Sequence, residues 1–358
     1  MKNIIFFSKN LKIGGMEQAL VTLLNKIDSK KYKITLVLEK AEGSFLNNVN
    51  KNIRIINYNL STNKNIFIRK LINFFKKCIF ILINYHKYDC AISYATYSVL
   101  CSQLSRKCSK NTMLFIHSDY YNLYDGNETS ILDFFNQIKI SFFNKIIFIS
   151  KHSMDNLIQV IPEIKSKSYV LGNLTEDRKI IDKSKEYSIQ LDPNKISLLY
   201  VGRLEEHSKQ ISKLINAVNI SKLTDKFNLY ILGSGPDENN YKKLALSPNI
   251  VFLGEKENPY PYIKASNYII LSSKYEGFPM VYNEATLLDT QIITTIPVED
   301  DQIKYDLNNV ILLDKELRNF NYIIEQILQN NLILSSSDID FGQVNYNKLK
   351  KFYTLIEC

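Results

Sequence analysis

Glu276 and Glu284 bracket the run Gly277-Phe278-Pro279-Met280-Val281, with seven residues between the two acids. Just before them lies Asn267-Tyr268-Ile269-Ile270-Leu271-Ser272, an apolar run of the kind that forms a buried strand. Gly277 permits a sharp turn or a close ligand, and Pro279 suits the first position of a helix. The stretch therefore reads strand, tight turn, helix, with free N–H groups at the turn. A helix N-terminus of this kind is a ready anion site. A carboxylate does not favour phosphate, but it accepts hydrogen bonds from neutral hydroxyls. Phosphate at the amides, with hydroxyls at two carboxylates, describes a sugar nucleotide. The spacing alone favours a plain helix with two solvated acids; the embedded Gly-Phe-Pro and the strand before it turn the reading toward the site.

Val201-Gly202-Arg203-Leu204 closes a second apolar strand, and Lys209 follows six residues after Arg203. Two cations at a strand's carboxyl end can neutralise a diphosphate leaving group, and the Arg fork binds phosphate oxygens in pairs. Taken in isolation they read as two surface cations; the Glu-x7-Glu stretch downstream turns the reading toward phosphate. Gly14-Gly15-Met16-Glu17 sits between a strand and a helix, where glycines let backbone amides approach a ligand. It matches neither G-x-G-x-x-G nor a P-loop, and a plain turn is the alternative. His117 ends the strand in Phe115-Ile116-His117-Ser118-Asp119. A lone His is usually structural, but its place at a strand end makes it a candidate.

The Glu-x7-Glu stretch with Gly-Phe-Pro after the first acid resembles the signature of GT-B-fold retaining glycosyltransferases of the family-4 type. Gly202-Arg203-Leu204 with Lys209 resembles that family's Gly-Arg-Leu…Lys motif, whose cations hold the donor's distal phosphate. The resemblance further implies that Gly14 and Gly15 lie beside the donor phosphates and the acceptor. It implies that Gly233 and Gly235, in Gly233-Ser234-Gly235-Pro236, flank the nucleotide, and that Glu255 follows the strand where the base binds. His117 would touch the transferred sugar. Glu276 would hold sugar hydroxyls and Glu284 the ribose, with Gly277, Phe278, Pro279, Met280 and Val281 around the diphosphate. Asn258-Pro259-Tyr260-Pro261-Tyr262 is similar to members that build bacterial surface polysaccharides. The resemblance covers most of the chain and is strongest from 196 to 297. In the first half it rests on Gly14-Gly15 and His117.

Positioning these residues requires alternating strands and helices. The sequence predicts strands at Ile4–Phe7, Lys33–Leu38, Ile53–Tyr58, Cys90–Ser93, Met113–Ile116, Lys145–Ser150 and Lys167–Leu171. The polar stretch 174–194 reads as a linker. Strands then recur at Ile196–Val201, Asn228–Leu232, Ile250–Phe252, Tyr268–Leu271 and Gln291–Thr294. Helices are expected at about 209–221, 237–245 and 260–265, and from Pro279. Such alternation implies an α/β protein with two doubly wound parallel sheets, the Rossmann-like domains of GT-B, facing a central cleft. Their ligands lie beyond the carboxyl ends of the strands. The expected boundaries are 1–176, 190–342, and a last helix at 346–358 that by analogy returns to the first domain.

The 358 residues suit two domains of ordinary size, and a hydrophobic fraction of 45% is that of a globular protein. The apolar run at the N-terminus is too short for a signal peptide. No apolar run is long enough to span a membrane, the best candidate at 71–84 being interrupted by Lys76 and Lys77. Five cysteines without CxxC pairing suggest free thiols in a reducing cytoplasm. Charge is uneven. Residues 1–180 carry 26 Lys and Arg against 13 Asp and Glu, and residues 181–358 carry 19 against 23. The basic half points to an anionic partner. Lys64, Arg69, Lys70, Lys76 and Lys77, interleaved with Ile66, Phe67, Ile68, Leu71, Phe74 and Phe75, make that an anionic membrane surface; a core helix with a basic edge is the alternative. No helix-turn-helix, RNP or zinc-finger pattern supports nucleic acid.

The reading is a retaining glycosyltransferase (hexosyl or N-acetylhexosaminyl), moving sugar from a nucleotide-diphosphate donor to a lipid-linked or glycan acceptor in surface polysaccharide assembly. UDP is preferred over GDP. It would lie in the cytoplasm, peripheral on the inner face of the membrane. No cofactor or obligatory metal is expected. Asp338-Ile339-Asp340 mimics a metal-binding Asp-x-Asp but lies in a polar tail. The alternatives are a sugar-nucleotide epimerase of the same fold and a silent subunit that scaffolds a partner.

Overall fold

The computed structural model describes residues 1–296, 310–332 and 339–357. The chain forms two compact units, Met1–Leu174 with Gln343–Cys358, and Thr175–Gly342.

The first unit holds seven parallel strands: β1 (Lys2–Ser8), β2 (Tyr32–Leu38), β3 (Arg54–Asn57), β4 (Cys90–Ser93), β5 (Thr112–Ile116), β6 (Lys145–Phe148) and β7 (Ser168–Val170). Their order is β3-β2-β1-β4-β5-β6-β7. β4, β5 and β6 are buried at every residue. That is why they read as continuous apolar runs rather than as alternating ones: a parallel sheet is covered on both faces. On one face, Ile4, Phe6, Leu36 and Ile92 meet Leu20 and Leu24 of the helix Gly15–Lys26, with Phe352 and Ile356 of the helix Phe341–Glu357. On another, Ile5, Phe7 and Ala91 meet Cys101, Leu104 and Cys108 of the helix Val99–Cys108. Lys145, itself buried, donates from Nζ to the Leu355 carbonyl at 2.6 Å, which ties the sheet to the final helix.

Among the described residues the second unit holds six parallel strands: β8 (Ile196–Val201), β9 (Phe227–Leu232), β10 (Ile250–Gly254), β11 (Tyr268–Leu271), β12 (Gln291–Thr294) and β13 (Val310–Leu312). The order is β10-β9-β8-β11-β12-β13. In each sheet the strand order reverses beside the unit's first strand, between β1 and β4 and between β8 and β11. Open α/β sheets bind ligands at such points, beyond the carboxyl ends of the strands.

Several elements differ from the sequence-based expectation. Residues Asp177–Lys183, inside the stretch read as a linker, form a helix. Only Ile180 of it is buried, so its composition is polar although it packs on the helices Tyr260–Ala265 and Met280–Leu287. The edge strand β13 and the helix Phe320–Leu328 were not anticipated; a three-residue strand leaves almost no pattern to read. The last helix begins at Phe341 rather than at 346. Pro279 is the N-cap of its helix, with φ −69° and ψ 115°, not the first helical residue. Four cysteines, Cys78, Cys90, Cys101 and Cys108, are free thiols, and Cys358 lies outside the described residues. Asp338 also lies outside them.

Candidate functional site

At the β8–β11 switch point the loops after β8, β9 and β10 lie edge to edge. Leu204 N–H donates to the Ser234 carbonyl at 2.9 Å, and Gly233 N–H to the Gly254 carbonyl at 3.0 Å. The glycines make this approach possible. A Cβ on Gly233 (φ +147°) would meet the Gly202 carbonyl oxygen at 1.9 Å, and one on Gly235 would meet the Leu204 oxygen at 2.2 Å. Side chains are therefore excluded where the loops touch. Below Gly202 sits the buried Tyr200, whose hydroxyl donates to the Arg203 carbonyl at 3.1 Å. The Arg203 side chain is exposed at the end of β8 and makes no hydrogen bond or ion pair among the described residues. Ser234 Oγ donates to Glu255 Oε2 at 2.5 Å, joining the second loop to the third.

The short helix Glu206–Lys209 is pinned to the loop after β11. Lys274 N–H donates to the Ser208 carbonyl at 2.7 Å, and Ser272 Oγ to the Lys209 carbonyl at 2.9 Å. This brings Lys209 Nζ onto Glu276 Oε1 in a direct ion pair. Ser273 Oγ donates to the same carboxylate oxygen at 2.7 Å. Both charged side chains are largely buried, 22% and 13% exposed. His207 Nδ1 lies 3.1 Å from the Tyr275 hydroxyl. The Tyr200 hydroxyl is held well above its ordinary pKa by burial first and by the nearby Glu276 charge second, so it stays a neutral donor.

Helix Met280–Leu287 follows Gly277. Phe278 and Val281 are buried, and Glu284, the helix's fifth residue, is only 6% exposed. Asn283 Nδ2 donates to Thr175 Oγ1 at 2.8 Å, fixing the helix within the unit. Lys209, Glu276 and the amides after Gly277 are thus gathered at one strand end, with Arg203 at the neighbouring one.

In the first unit, the loop after β1 is anchored by Leu11. Its N–H donates to the Glu42 carbonyl at 2.9 Å, and its carbonyl accepts from Phe45 N–H at 3.1 Å. Gly14 caps the helix Gly15–Lys26 with extended backbone. Glu17 folds back over it, because a Cβ on Gly14 would lie 2.4 Å from Glu17 Oε2. The helix start that was expected to face phosphates thus carries a carboxylate of its own. Burial raises the Glu17 pKa. His117 directly follows β5, its ring 4.3 Å from that of Tyr94 and 5.9 Å from that of Phe115. Both ring nitrogens are buried without a hydrogen-bond partner among the described residues. Burial pushes its pKa down to about 3, which the nearby Tyr94 backbone only partly offsets, so the imidazole is neutral at physiological pH.

Residues that sequence reasoning missed include Ser273, which shares Glu276 with Lys209, and Tyr200 beneath the Gly202 loop. A serine three residues before Glu276, directly after a strand, was the available signal for the first. Tyr200 looks like any other strand residue. Among the described residues no three His, Cys, Asp or Glu side chains gather as a metal site.

Two parallel sheets with opened switch points define the GT-B glycosyltransferase fold. Anabaena HepE in complex with UDP-glucose superposes with a TM-score of 0.75 at 16% identity, covering 99% of this chain and 100% of that one. Residues 181–339 match the model of the family described as glycosyl transferases group 1. The capsular polysaccharide biosynthesis glycosyltransferase CapH of Staphylococcus aureus is 24% identical over 225 residues, 59% of this chain and 60% of that protein. The N-acetylgalactosamine-N,N'-diacetylbacillosaminyl-diphospho-undecaprenol 4-alpha-N-acetylgalactosaminyltransferase of Campylobacter jejuni is 28% identical over 150 residues, 41% of this chain and 40% of that one. The chain spans between about a third and three-fifths of the length of these curated relatives, from 34% to 60%.

Proposed function

We propose that the protein is a retaining glycosyltransferase that moves a hexosyl or N-acetylhexosaminyl group from a UDP-sugar to a lipid-linked or glycan hydroxyl in surface polysaccharide assembly. The observation that carries this is the convergence at the β8–β11 switch point: the exposed Arg203 at one strand end, and the Lys209–Glu276 pair with the helix Met280–Leu287 at the next. A diphosphate needs cations and amides, and a sugar needs a carboxylate; all of them occur here within one unit. The names of the relatives, and the UDP-glucose held by HepE, support the donor and the pathway class.

In this reading Arg203 and Lys209 take the diphosphate oxygens, assisted by the positive end of the helix that follows Gly277. Lys209 exchanges part of its contact with Glu276 for phosphate, and Glu276 turns its freed capacity to sugar hydroxyls. Glu284 holds the ribose. Gly233, Gly235 and Glu255 line the nucleotide side. The departing phosphate accepts the acceptor's proton on the face it leaves, so the anomeric configuration is kept without an enzyme nucleophile. Neutral His117 offers the first unit a hydrogen-bonding group for substrate. The working place is the cytoplasmic face of the cell membrane, where lipid-linked acceptors are met.

A screen of UDP, GDP and their sugars by thermal shift, followed by NMR of the product made from the stabilising donor, tests this. UDP-sugars should stabilise; ligand at 100 times its Kd adds about 2.7 kcal/mol. The product should keep the donor's anomeric configuration. Inversion would overturn the mechanism. An epimerised nucleotide formed without acceptor would favour an epimerase, and stabilisation by no nucleotide would favour a silent subunit.

A further inference from the structure

The helix Ile66–Asn84 is turned inside out. Phe67, Leu71, Phe74, Phe75, Ile79 and Leu82 are all exposed, Phe67 at 75% and Leu82 at 81%. At 3.6 residues per turn these six occupy about 140° of the helix circumference. The face turned toward the rest of the unit carries the polar groups instead. Lys76 Nζ donates to the Asn59 carbonyl at 2.8 Å, and Lys77 Nζ donates to Gln103 Oε1. Asn73 Oδ1 accepts from Ser61 N–H at 2.8 Å. Phe80 and Ile81 anchor the helix by apolar contact, Phe80 lying edge-on to Phe7 and Tyr58. A surface helix ordinarily does the reverse. Six large apolar side chains along a helix about 28 Å long form a patch that monomeric surfaces rarely leave in water. The helix is capped by Asn65, whose side chain accepts from the Phe67 and Ile68 amides, so its outward face belongs to a formed element and not to a frayed one.

Charge says what covers it. No Asp or Glu occurs between Glu42 and Asp89, while Lys64, Arg69, Lys70 and Lys87 stand exposed around the two ends of the helix. A second copy docked face to face would bring these cations together. An anionic bilayer would not. No described helix is long and apolar enough to cross a membrane. The two inward lysines also alter the balance of forces: Lys76 and Lys77 are committed to protein oxygens, so attachment relies on apolar insertion more than on charge.

We propose that the helix Ile66–Asn84 lies in the plane of an anionic lipid surface, its apolar face sunk into the headgroup–acyl boundary and its terminal cations among the headgroups. This names the contact by which the protein reaches a membrane, and it depends on no step of sugar transfer. The chain has no Trp, so single-Trp reporters are free of background. In the full chain, Phe75→Trp should shift to the blue on mixing with vesicles of phosphatidylcholine and phosphatidylglycerol, and should be quenched by bromine-labelled acyl chains. Tyr322→Trp, exposed on the other unit, should do neither. The exposed triple variant F67S/L71S/F75S should lower the floated fraction about tenfold or more, since each buried apolar side chain contributes substantially. High salt should weaken flotation without abolishing it. An unshifted Phe75→Trp, flotation unchanged by the triple variant, or complete loss of binding at high salt would overturn the proposal. A wild-type dimer that the triple variant converts to monomer, with no flotation, would reassign the face to self-association.

Discussion

Lys209 and Glu276, 67 positions apart in the chain, form a direct ion pair at the carboxyl end of β11, with Ser273 on the same carboxylate oxygen. The pair joins the residue expected on phosphate to the residue expected on sugar. Each partly neutralises the other, so on the proposed function a donor would redistribute that contact rather than fill an empty charged pocket.

Arg203→Ala and Lys209→Ala should each cut transfer by about 10²–10³, the usual cost of losing one preorganised charge contact. Arg203→Ala should leave stability within about 0.5 kcal/mol, because the side chain is exposed and makes no hydrogen bond or ion pair among the described residues. Steady-state rates with folded variants check this. Full activity in both would remove the diphosphate from this strand end.

Glu276→Gln should lower the rate yet leave UDP affinity unchanged or tighter, since Lys209 is then released from its partner. Glu284→Gln should weaken UDP about tenfold, the scale of one charge-assisted hydrogen bond. Calorimetric titration of UDP without sugar separates them. Equal losses of affinity would contradict the division of roles.

Gly233→Ala should destabilise the protein by more than about 2 kcal/mol. The added Cβ would stand 1.9 Å from a backbone oxygen, at a φ that L-residues rarely adopt. Backbone cannot swing aside as a side-chain end can, so the Gly202–Arg203 loop must move as well. Urea unfolding gives the stability and UDP titration the loop; an unperturbed variant would mean that these loops are not packed as described.

His117 predicts a pH effect with a definite sign. Its folded pKa lies near 3, below the unfolded value of about 6.5. The unfolded chain therefore binds the proton first. The stability held by the neutral ring is fully present above pH 6.5 and is lost as pH falls toward 3. Between pH 6.5 and 5 the loss should be about 2 kcal/mol. Urea unfolding of wild type and His117→Gln at both pH values isolates the term, since the variant lacks it. Equal losses in both would mean that the ring is hydrated or paired in solution.

Transfer should survive EDTA, because Arg203, Lys209 and the N-terminus of Met280–Leu287 provide positive charge for the diphosphate. Loss of activity on chelation, restored by Mn²⁺, would instead direct attention to Asp338 and Asp340.

The sequence alone determined the elements that bury apolar runs on both faces. β4 at Cys90–Ser93, β8 at Ile196–Val201 and β11 at Tyr268–Leu271 are legible because every residue in or beside them obeys one local rule, and parallel strands alternating with helices admit few topologies. The motif glycines were legible for the same reason, as turns between such strands. What a residue touches across the chain was not. That Lys209 reaches Glu276, that Gly233 lies under the Gly202 carbonyl, and that the His117 ring is buried against Tyr94 follow from strand order, which places β8 between β9 and β11 and β5 beside β4. The helix Ile66–Asn84 shows the limit most plainly. Its length and mixture of cations and apolar groups could be read from the chain, and both a core helix and a lipid-facing one fitted them. Only the tertiary structure decided which face turns outward, because Asn59, Ser61 and Gln103 offer Lys76, Asn73 and Lys77 their hydrogen bonds on the inner side. Those hydrogen bonds, with Phe80 packed on the unit beside them, hold the rotation of the helix, and the apolar face is left to the solvent side.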